Sequence, residues 1–212
     1  LVNLDSYFCI YKKKGGVGNT ATENMGEEEQ VDENKSEFDS IAKDWDARSG
    51  AKQMAKWVAD TTAGFDWWKN QNAKQTFHII DHGCGTGLVA MQLLPNVQHI
   101  LGTEVSAGMM KQFSGKLANQ PSLAKKVDLL HVSPDGAELD NLSQQFDVVV
   151  LSFVLHHIEH PHTVLPRLLK LLKSGGYLVI AEFLWGKEHK HHHHHHSHGD
   201  DHSKHEHHHG DD

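Results

Sequence analysis

Residues 77–88 read FHIIDHGCGTGL, and this stretch decides the fold. A short apolar run is followed by an acid, Asp81, and then by three glycines in five residues, at positions 83, 85 and 87. The apolar residues after the last glycine have helical spacing and end before Pro95. A strand, a glycine turn and a helix are therefore predicted. In an open α/β sheet such a turn lies at the carboxyl end of a strand, where ligands bind, and glycine lets the backbone approach them.

The composition excludes several classes of protein. The chain has 212 residues, which is enough for one domain with a sizeable core. It contains no apolar run of about 18 residues that would span a membrane and no signal-peptide pattern, so we predict a soluble, cytoplasmic protein with no membrane partner. The formal net charge is −8 and there is no basic face, which argues against a nucleic-acid partner. Cys9 and Cys84 are expected to be reduced thiols.

The two ends of the chain have a composition that does not support a folded core. We expect a disordered leader over residues 1–35, with Met25 as a candidate native start, and a disordered tail over residues 187–212. One domain is then predicted for residues 36–186. Residues 11–20, YKKKGGVGNT, are similar to a phosphate-binding loop but hold asparagine where its second lysine is needed, so no phosphate site is predicted.

The tail is rich in histidine. Histidine occupies every position from 191 to 196, and further histidines alternate with acids up to His209. Imidazole-rich tracts bind zinc, nickel or copper, but the tail has no fixed ligand spacing. We therefore expect loose binding of divalent metal and no structural metal site.

Four further apolar runs of strand length follow the glycine turn, at residues 98–105, 127–132, 146–151 and 177–183. The run at 146–151 is continuously apolar, as expected of a strand that is buried on both faces. Segments with helical spacing separate the runs, and Ser106 is expected to cap the first of them. The alternation predicts an α/β fold, a Rossmann-like parallel sheet with helices on both faces.

An amino-terminal helical segment precedes the first strand of this sheet. Ser36 is expected to cap a helix in which Phe38, Ile41, Ala42 and Trp45 share one face. These side chains either pack on the sheet or form a lid over the pocket. Periodicity indicates burial but does not identify what covers the residue, so both interpretations stay open.

Two acids follow predicted strands at the same edge of the sheet as the glycine turn. Glu104 ends the second strand, where a carboxylate can accept hydrogen bonds from the two hydroxyls of a ribose. Asp135 follows the third strand, where it either accepts from an exocyclic amine such as that of adenine or is an ordinary turn residue. The pocket is therefore predicted to be nucleotide-like.

The spacing of the turn distinguishes two kinds of cofactor. The dinucleotide-binding pattern GxGxxG requires glycine at the position of Leu88, so its spacing fails here. The turn reads DHGCGTG instead, and it occurs in order with FDSIAKDWD, GTEVSAGMM, SPDGAEL, FDVVVLSFVLHHI and LLKSGGYLVIAEF. With these motifs, residues 36–185 resemble the class I S-adenosylmethionine-dependent methyltransferases, particularly the small-molecule branch that includes quinone-biosynthesis enzymes.

The resemblance implies S-adenosylmethionine as the cofactor and transfer of its methyl group to a small-molecule acceptor. It also implies the roles of individual residues. Those that would line the methionine part of the cofactor are Asp81, Gly83, Cys84 and Gly85. Those that would contact the nucleoside are Glu104 at the ribose, Val105 and Met109 beside the adenine, and Asp135, Gly136 and Ala137 at the adenine edge. Those that would close the pocket beside the sulfonium are Ser152 and Phe153.

The chain departs from the family pattern in two places. His82 occupies a position where the family usually has a small or apolar residue. The family usually continues after the fifth strand with a further helix and an antiparallel pair of strands, whereas here the histidine-rich tail follows directly. The sheet is therefore expected to lack the usual last two strands, which would leave one edge uncovered, and the chain is expected to be truncated.

No catalytic residue is identified by these motifs. His156 and His157 are weak candidates for a general base, which is needed only if the acceptor must lose a proton, and a structural role is favoured for both. Two alternatives to an enzyme are a methyltransferase-like protein that binds the cofactor without turnover and a metal-binding protein that acts through its tail.

Overall fold

The structure is a computed structural model that describes residues 6–13, 28–69 and 76–183. The helices are α1 (Glu28–Ile41), α2 (Ala51–Gly64), α3 (Asp66–Lys69), α4 (Leu88–Leu93), α5 (Ala107–Ala118), α6 (Pro121–Ala124) and α7 (Pro161–Leu171). The strands are β1 (Ser6–Lys12), β2 (His78–His82), β3 (His99–Glu104), β4 (Val127–His131), β5 (Phe146–Ser152) and β6 (Leu172–Phe183). In the part of the chain described, no helix has the length and apolar character that a membrane span requires.

One six-stranded sheet organises the domain. Its strand order is β1-β6-β5-β2-β3-β4, and all neighbours from β6 to β4 are parallel. Residues 148–151 of β5 are fully buried because helices cover both faces of the sheet. One face packs on α2, α4 and α5 and the other on α7, which gives two separate apolar clusters. The predicted α/β, Rossmann-like fold with helices on both faces is confirmed.

Strand β1 corrects two expectations. Residues 6–12 pair antiparallel with β6 over its whole second half, from Ser6 opposite Phe183 to Lys12 opposite Tyr177. The expected disorder is therefore wrong for these residues, and so is the expected uncovered edge beside β6, because β1 satisfies the backbone groups there. The sheet is mixed and not entirely parallel. The remainder of the leader, residues 1–5 and 14–27, and the tail from residue 184 lie outside the described residues.

Lys13 fastens β1 to the helical layer. Its backbone continues the ladder, with its N–H donating to Gly176 O and its carbonyl accepting from Gly175 N, both at 3.0 Å. Its ammonium donates to the carbonyls of Leu169 and Leu172 at 2.8 and 2.6 Å. A cation at the carboxyl end of a helix satisfies carbonyls that have no partner within the helix. The strand thus also caps α7.

Two element boundaries also differ from the prediction. Helix α1 begins at Glu28, inside the predicted leader, and Ser36 lies within it instead of capping it. Acidic residues favour the start of a helix through its dipole, which local apolar spacing does not register. Strand β6 begins at Leu172 and not at Tyr177, with a register shift opposite residues 146–148. The glycine pair at 175–176 therefore belongs to an irregular strand rather than to the end of α7.

Candidate functional site

A cavity opens at the carboxyl ends of the parallel strands, where the glycine turn was predicted to lie. Backbone and side chains from five segments line it. Those after β2 are His82, Gly83, Cys84, Gly85, Thr86, Leu88 and Val89. Those after β3 and β4 are Glu104, Val105, Met109 and Val132. Those after β5 and from the amino-terminal segments are Ser152, Phe153, Val154, His157, Phe38, Trp45, Ala51, Met54 and Ala55.

The glycine turn needs glycine for two different reasons. Gly83 has φ +70°, and a Cβ there would lie 2.3 Å from Val154 Cγ2, so both conformation and space require glycine. Gly85 has φ +54°, and a Cβ there would meet nothing within 4 Å. Gly85 therefore leaves open space on the cavity side of the turn, which is the cradle that a closely approaching ligand needs.

Glu104 is held rigidly at the end of β3. Its Oε2 accepts from Gly85 N at 2.8 Å, and its Oε1 accepts from Val105 N and Ser106 N at 2.8 and 2.9 Å. Burial raises the pKa of Glu104, whereas these three amides oppose the shift. A carboxylate has about four acceptor positions, so the side chain can fix the turn and still accept from a ligand. The residue is 7% exposed and borders the cavity.

Two aspartates in the motif FDSIAKDWD connect the amino-terminal segments to this site. Asp39 accepts from Ser106 Oγ at 2.6 Å and Gly108 N at 2.7 Å, at the start of α5. Asp46 accepts from Thr86 Oγ1 at 2.5 Å and forms an ion pair with Lys116. The motif alone predicts no role for either acid. The only signal for these two acids in the sequence is that they lie among apolar residues of a motif that carries the family resemblance.

Ser106 is the predicted cap of α5, and this prediction is confirmed. Its hydroxyl accepts from Met109 N at 3.0 Å. The same hydroxyl donates to Asp39, so the start of α5 and the carboxyl half of α1 are fixed together. Met109, in the first turn of α5, is 2% exposed and borders the cavity.

Four rings, which we call the aromatic wall, border the cavity: Phe38, Trp45, Phe153 and His157. Phe38 contacts Trp45 edge-on at a centroid distance of 5.9 Å and His157 at 4.9 Å. Of the two interpretations left open for Phe38 and Trp45, these contacts favour the cover over the cavity, because both rings border it and Phe38 packs on Trp45 and His157. Such edge-to-face pairs stabilise a fixed ring arrangement.

The two histidines after β5 have different surroundings. His156 Nδ1 lies 2.7 Å from Glu182 Oε1 on β6, and its ring lies 3.9 Å from that of His157. Burial, and secondarily His156, lowers the pKa of His157 to about 4. His157 is therefore neutral at pH 7 and can donate or accept a hydrogen bond. A base with so low a pKa removes protons weakly, so a catalytic role for either histidine stays a prediction.

Some of the other residues selected from the sequence lie away from the cavity lining. Asp81 is buried beneath the turn at 1% exposure. Asp135 accepts from Ser133 Oγ at 2.7 Å and pairs with Arg167 at 3.3 Å, and the Ser133 hydrogen bond lowers its pKa. Gly136 and Ala137 begin the turn Ala137–Asn141, against Leu139. The structure brings the other selected residues together around the cavity: Gly83, Cys84, Gly85, Glu104, Val105, Met109, Ser152 and Phe153.

Two buried ionisable residues lie side by side on β2. Burial and then the Glu104 carboxylate raise the pKa of Asp81 to about 7, and its Oδ1 has no hydrogen-bond partner among the described residues. Burial lowers the pKa of His82 to about 4, and His82 Nδ1 lies 2.8 Å from Thr103 Oγ1. At the position where the resemblance leads us to expect a small or apolar residue, His82 is thus a neutral, hydrogen-bonded side chain.

These shifts predict opposite pH dependences for two variants. The folded state favours protonated Asp81. The contribution of this group to the free energy of unfolding is therefore fully present below pH 3.8 and is lost as pH rises through about 7. The folded state also favours neutral His82. The contribution of His82 to the free energy of unfolding is therefore fully present above pH 6.5 and is lost as pH falls through about 4. Between pH 4 and 6.5 we expect Asp81→Asn to gain stability relative to wild type as pH rises. Over the same range His82→Leu should lose stability relative to wild type.

The measurement is urea unfolding of the three proteins at half-unit steps from pH 4.5 to 7.5. Differences from wild type remove the titrations that both proteins share, and for Asp81→Asn the difference also contains the response of Glu104, whose charge interacts with Asp81. Curves that run parallel to wild type for both variants would contradict the assigned protonation states.

The chain is similar to known methyltransferases. Residues 80–178 match the family described as a methyltransferase domain. An uncharacterized methyltransferase of Schizosaccharomyces pombe is 33% identical over 135 residues, which cover 62% of this chain and 46% of that protein. The demethylmenaquinone methyltransferase of Clavibacter sepedonicus is 32% identical over 105 residues, 50% of this chain and 40% of that protein. The chain thus spans about half the length of these relatives or less.

Solved structures share the fold. A DhpI–SAM–HEP complex superposes with a TM-score of 0.55 at 15% identity, covering 74% of this chain and 67% of that one. Magnesium protoporphyrin IX methyltransferase from Synechocystis, with bound SAH, gives a TM-score of 0.53 at 17% identity, covering 68% and 69%. Residues 80–178 thus match a methyltransferase domain, and the described part of the chain shares the Rossmann-like fold of these solved structures.

Proposed function

We propose that the protein transfers a methyl group from S-adenosylmethionine to a small-molecule acceptor. The observation that carries this proposal is the arrangement of Gly85 and Glu104, which the Gly85 N–H···Oε2 hydrogen bond of 2.8 Å holds at one edge of the cavity. A glycine that leaves open space and a fixed carboxylate match what a ribose-containing ligand needs. A demethylmenaquinone methyltransferase and a ubiquinone-biosynthesis O-methyltransferase among the relatives favour a small acceptor.

The residues that line the cavity fit this cofactor in their chemistry. Glu104 would accept from a ribose hydroxyl through the acceptor position that its three backbone partners leave, and the apolar side chains of Val105 and Met109 would contact the adenine. Gly83 and Gly85 would let the backbone approach the methionine part. No lysine or arginine lines the cavity among the described residues, and Glu104 supplies negative charge, so the field suits a cation.

The remaining assignments rest on the family resemblance. Cys84 belongs to the same turn, while Ser152 and Phe153 would close the cavity beside the methyl group. Asp81 would act from beneath the turn, and Asp135, Gly136 and Ala137 would reach the adenine edge only if their loop turned towards the cavity. Burial raises the pKa of the Cys84 thiol, which disfavours a thiolate nucleophile in this turn.

Methyl transfer depends mainly on how the acceptor is positioned relative to the methyl group. When bound, S-adenosylmethionine supplies a methyl group on a positively charged sulfur. The protein would hold the acceptor in line with that group and exclude water, which is where most of the rate of such a displacement comes from. The aromatic wall and the amino-terminal aspartates Asp39 and Asp46 support this arrangement, because they fix the cover of the cavity to α5 and to the glycine turn.

Calorimetry on the full chain tests the proposal. We expect one-to-one binding of S-adenosylmethionine and of S-adenosylhomocysteine, and no binding of NADH. Absence of binding by both adenosyl compounds in a folded protein would refute the cofactor. Transfer from methyl-labelled donor then separates an enzyme from a protein that only binds the cofactor. A zinc titration with and without residues 187–212 addresses the second alternative; within the described residues no cluster of three metal-ligating side chains occurs.

A further inference from the structure

We propose that Phe153 is the platform on which the methyl acceptor packs, and that the acceptor is an uncharged aromatic molecule. This inference rests on the proposed methyl transfer and extends it to the acceptor.

The backbone of Phe153 has an unfavourable conformation. Its φ is +54°, and no other non-glycine residue in the described ranges has a positive φ. A bulky side chain is disfavoured in the left-handed region, so such outliers persist only where the surroundings impose them and are concentrated at functional sites. Here the N–H of Phe153 donates to Ala181 O at 2.8 Å, which ties the strained residue to β6.

The strained backbone directs the ring to the cavity. The ring lies 4.5 Å from that of Phe183 and 6.4 Å from that of Trp57, while Phe153 also borders the cavity. It is thus supported from behind by rings on β6 and α2. A glycine would adopt this φ without strain, but it would remove the ring that the surrounding residues support.

The charges around the cavity define the acceptor class. The lining contains Glu104 and, within the described residues, no lysine or arginine. An acceptor with a carboxylate or phosphate would lose water without gaining a counter-ion and would also be repelled by Glu104. The rings of Phe38, Trp45, Phe153 and His157 instead offer faces and edges to a planar molecule. His157 is neutral at pH 7 and provides the hydrogen bond that a hydroxyl on such a ring needs.

A pair of variants tests the strain. Alanine normally stabilises a chain more than glycine does, but at φ +54° the order should reverse. We expect Phe153→Gly to unfold at the same urea concentration as Phe153→Ala or at a higher one. A clear advantage of Phe153→Ala would show that the backbone is relaxed, and it would remove the first step of the inference.

Three probes of similar shape test the acceptor class: 2-naphthol, decahydro-2-naphthol and 2-naphthoate. Each is titrated at pH 7.5 into the full chain saturated with S-adenosylhomocysteine, with saturation-transfer NMR as the readout. We expect 2-naphthol to bind, the saturated alcohol to bind about fivefold more weakly for want of ring contacts, and the anion to bind at least about tenfold more weakly. Phe153→Leu should weaken 2-naphthol about fivefold, measured at concentrations of S-adenosylhomocysteine that saturate the variant.

Phe65→Leu provides the matched control, because Phe65 stacks on Trp67 and does not line the cavity. It should leave the binding of all three probes unchanged. Equal binding of the three probes, binding of none of them, or an unchanged 2-naphthol affinity in Phe153→Leu would overturn the inference while the proposed function stands. Failure of the wild-type chain to bind S-adenosylhomocysteine would instead overturn the proposed function.

Discussion

Replacing Gly83 with alanine is expected to destabilise the protein by roughly 3 kcal/mol and to abolish cofactor binding. The left-handed backbone at φ +70° costs an alanine about 1–2 kcal/mol. The added Cβ would lie 2.3 Å from Val154 Cγ2, and overpacking of this kind costs about 1–3 kcal/mol. Relief of the overlap requires movement of the glycine turn or of the segment after β5, and both border the cavity.

Urea unfolding and calorimetry with S-adenosylhomocysteine measure the two effects. Gly115→Ala is the matched control, because Gly115 lies in helix α5 and a Cβ added there would have no neighbouring atom within 4 Å. We expect this substitution to stabilise α5 by about 0.5–1 kcal/mol. The double variant Gly83→Ala, Val154→Ala should recover part of the loss, because it removes both Cγ methyls but leaves the backbone strain and the 2.9 Å approach to Cβ of residue 154. If Gly83→Ala proved as stable as the control, the close packing of the turn on β5 would be refuted.

Replacing Glu104 with glutamine is expected to weaken both the fold and the binding of the cofactor. The carboxylate accepts three backbone N–H groups through its two oxygens, whereas an amide has only one oxygen. At least one buried N–H group would then face an NH₂ group, at a cost of about 1–3 kcal/mol. Loss of the charged hydrogen bonds to the ribose should reduce affinity by a further 1.5–3 kcal/mol, on the order of 10- to 150-fold.

A ligand pair separates these two effects. Wild type should bind S-adenosylhomocysteine more tightly than its 2′-deoxy analogue, and Glu104→Gln should have lost most of that preference. Glu138→Gln is the control, because Glu138 accepts from Ser133 N and Oγ outside the cavity. It should lower stability and leave the preference intact. An unchanged preference in Glu104→Gln would show that the carboxylate organises the turn without contacting the ribose.

Local patterns predicted most of the parallel sheet. Alternation of apolar runs and helical spacing located β2 to β6, because these strands are buried by helices that lie between them or precede them in the chain. Ser106 was identified as a cap because capping depends on the residues immediately after it. The glycine turn and Glu104 were found for the same reason, since their roles depend on the ends of adjacent strands.

Features that depend on distant partners were missed. The run YFCIY at residues 7–11 is apolar and aromatic enough for a strand, but its partner β6 is far away in sequence and composition alone assigned the segment to a leader. Asp39 and Asp46 have neighbours that only the folded chain supplies. The carboxylate of Asp135, which the resemblance assigned to the adenine edge, interacts with Arg167 and Ser133 in the folded chain.

The pairing of β1 with β6 also determines when this domain can be completed as it folds. Lys13 and Leu169, which join the two ends, are 156 residues apart. Contacts over such separations carry a large loop-closure entropy, so they form after the local helices and the neighbouring strands. Strand β1 precedes the other described strands in the chain, and it is nevertheless expected to be the last of them to join the sheet. Until then the edge of β6 is open to strands of other chains.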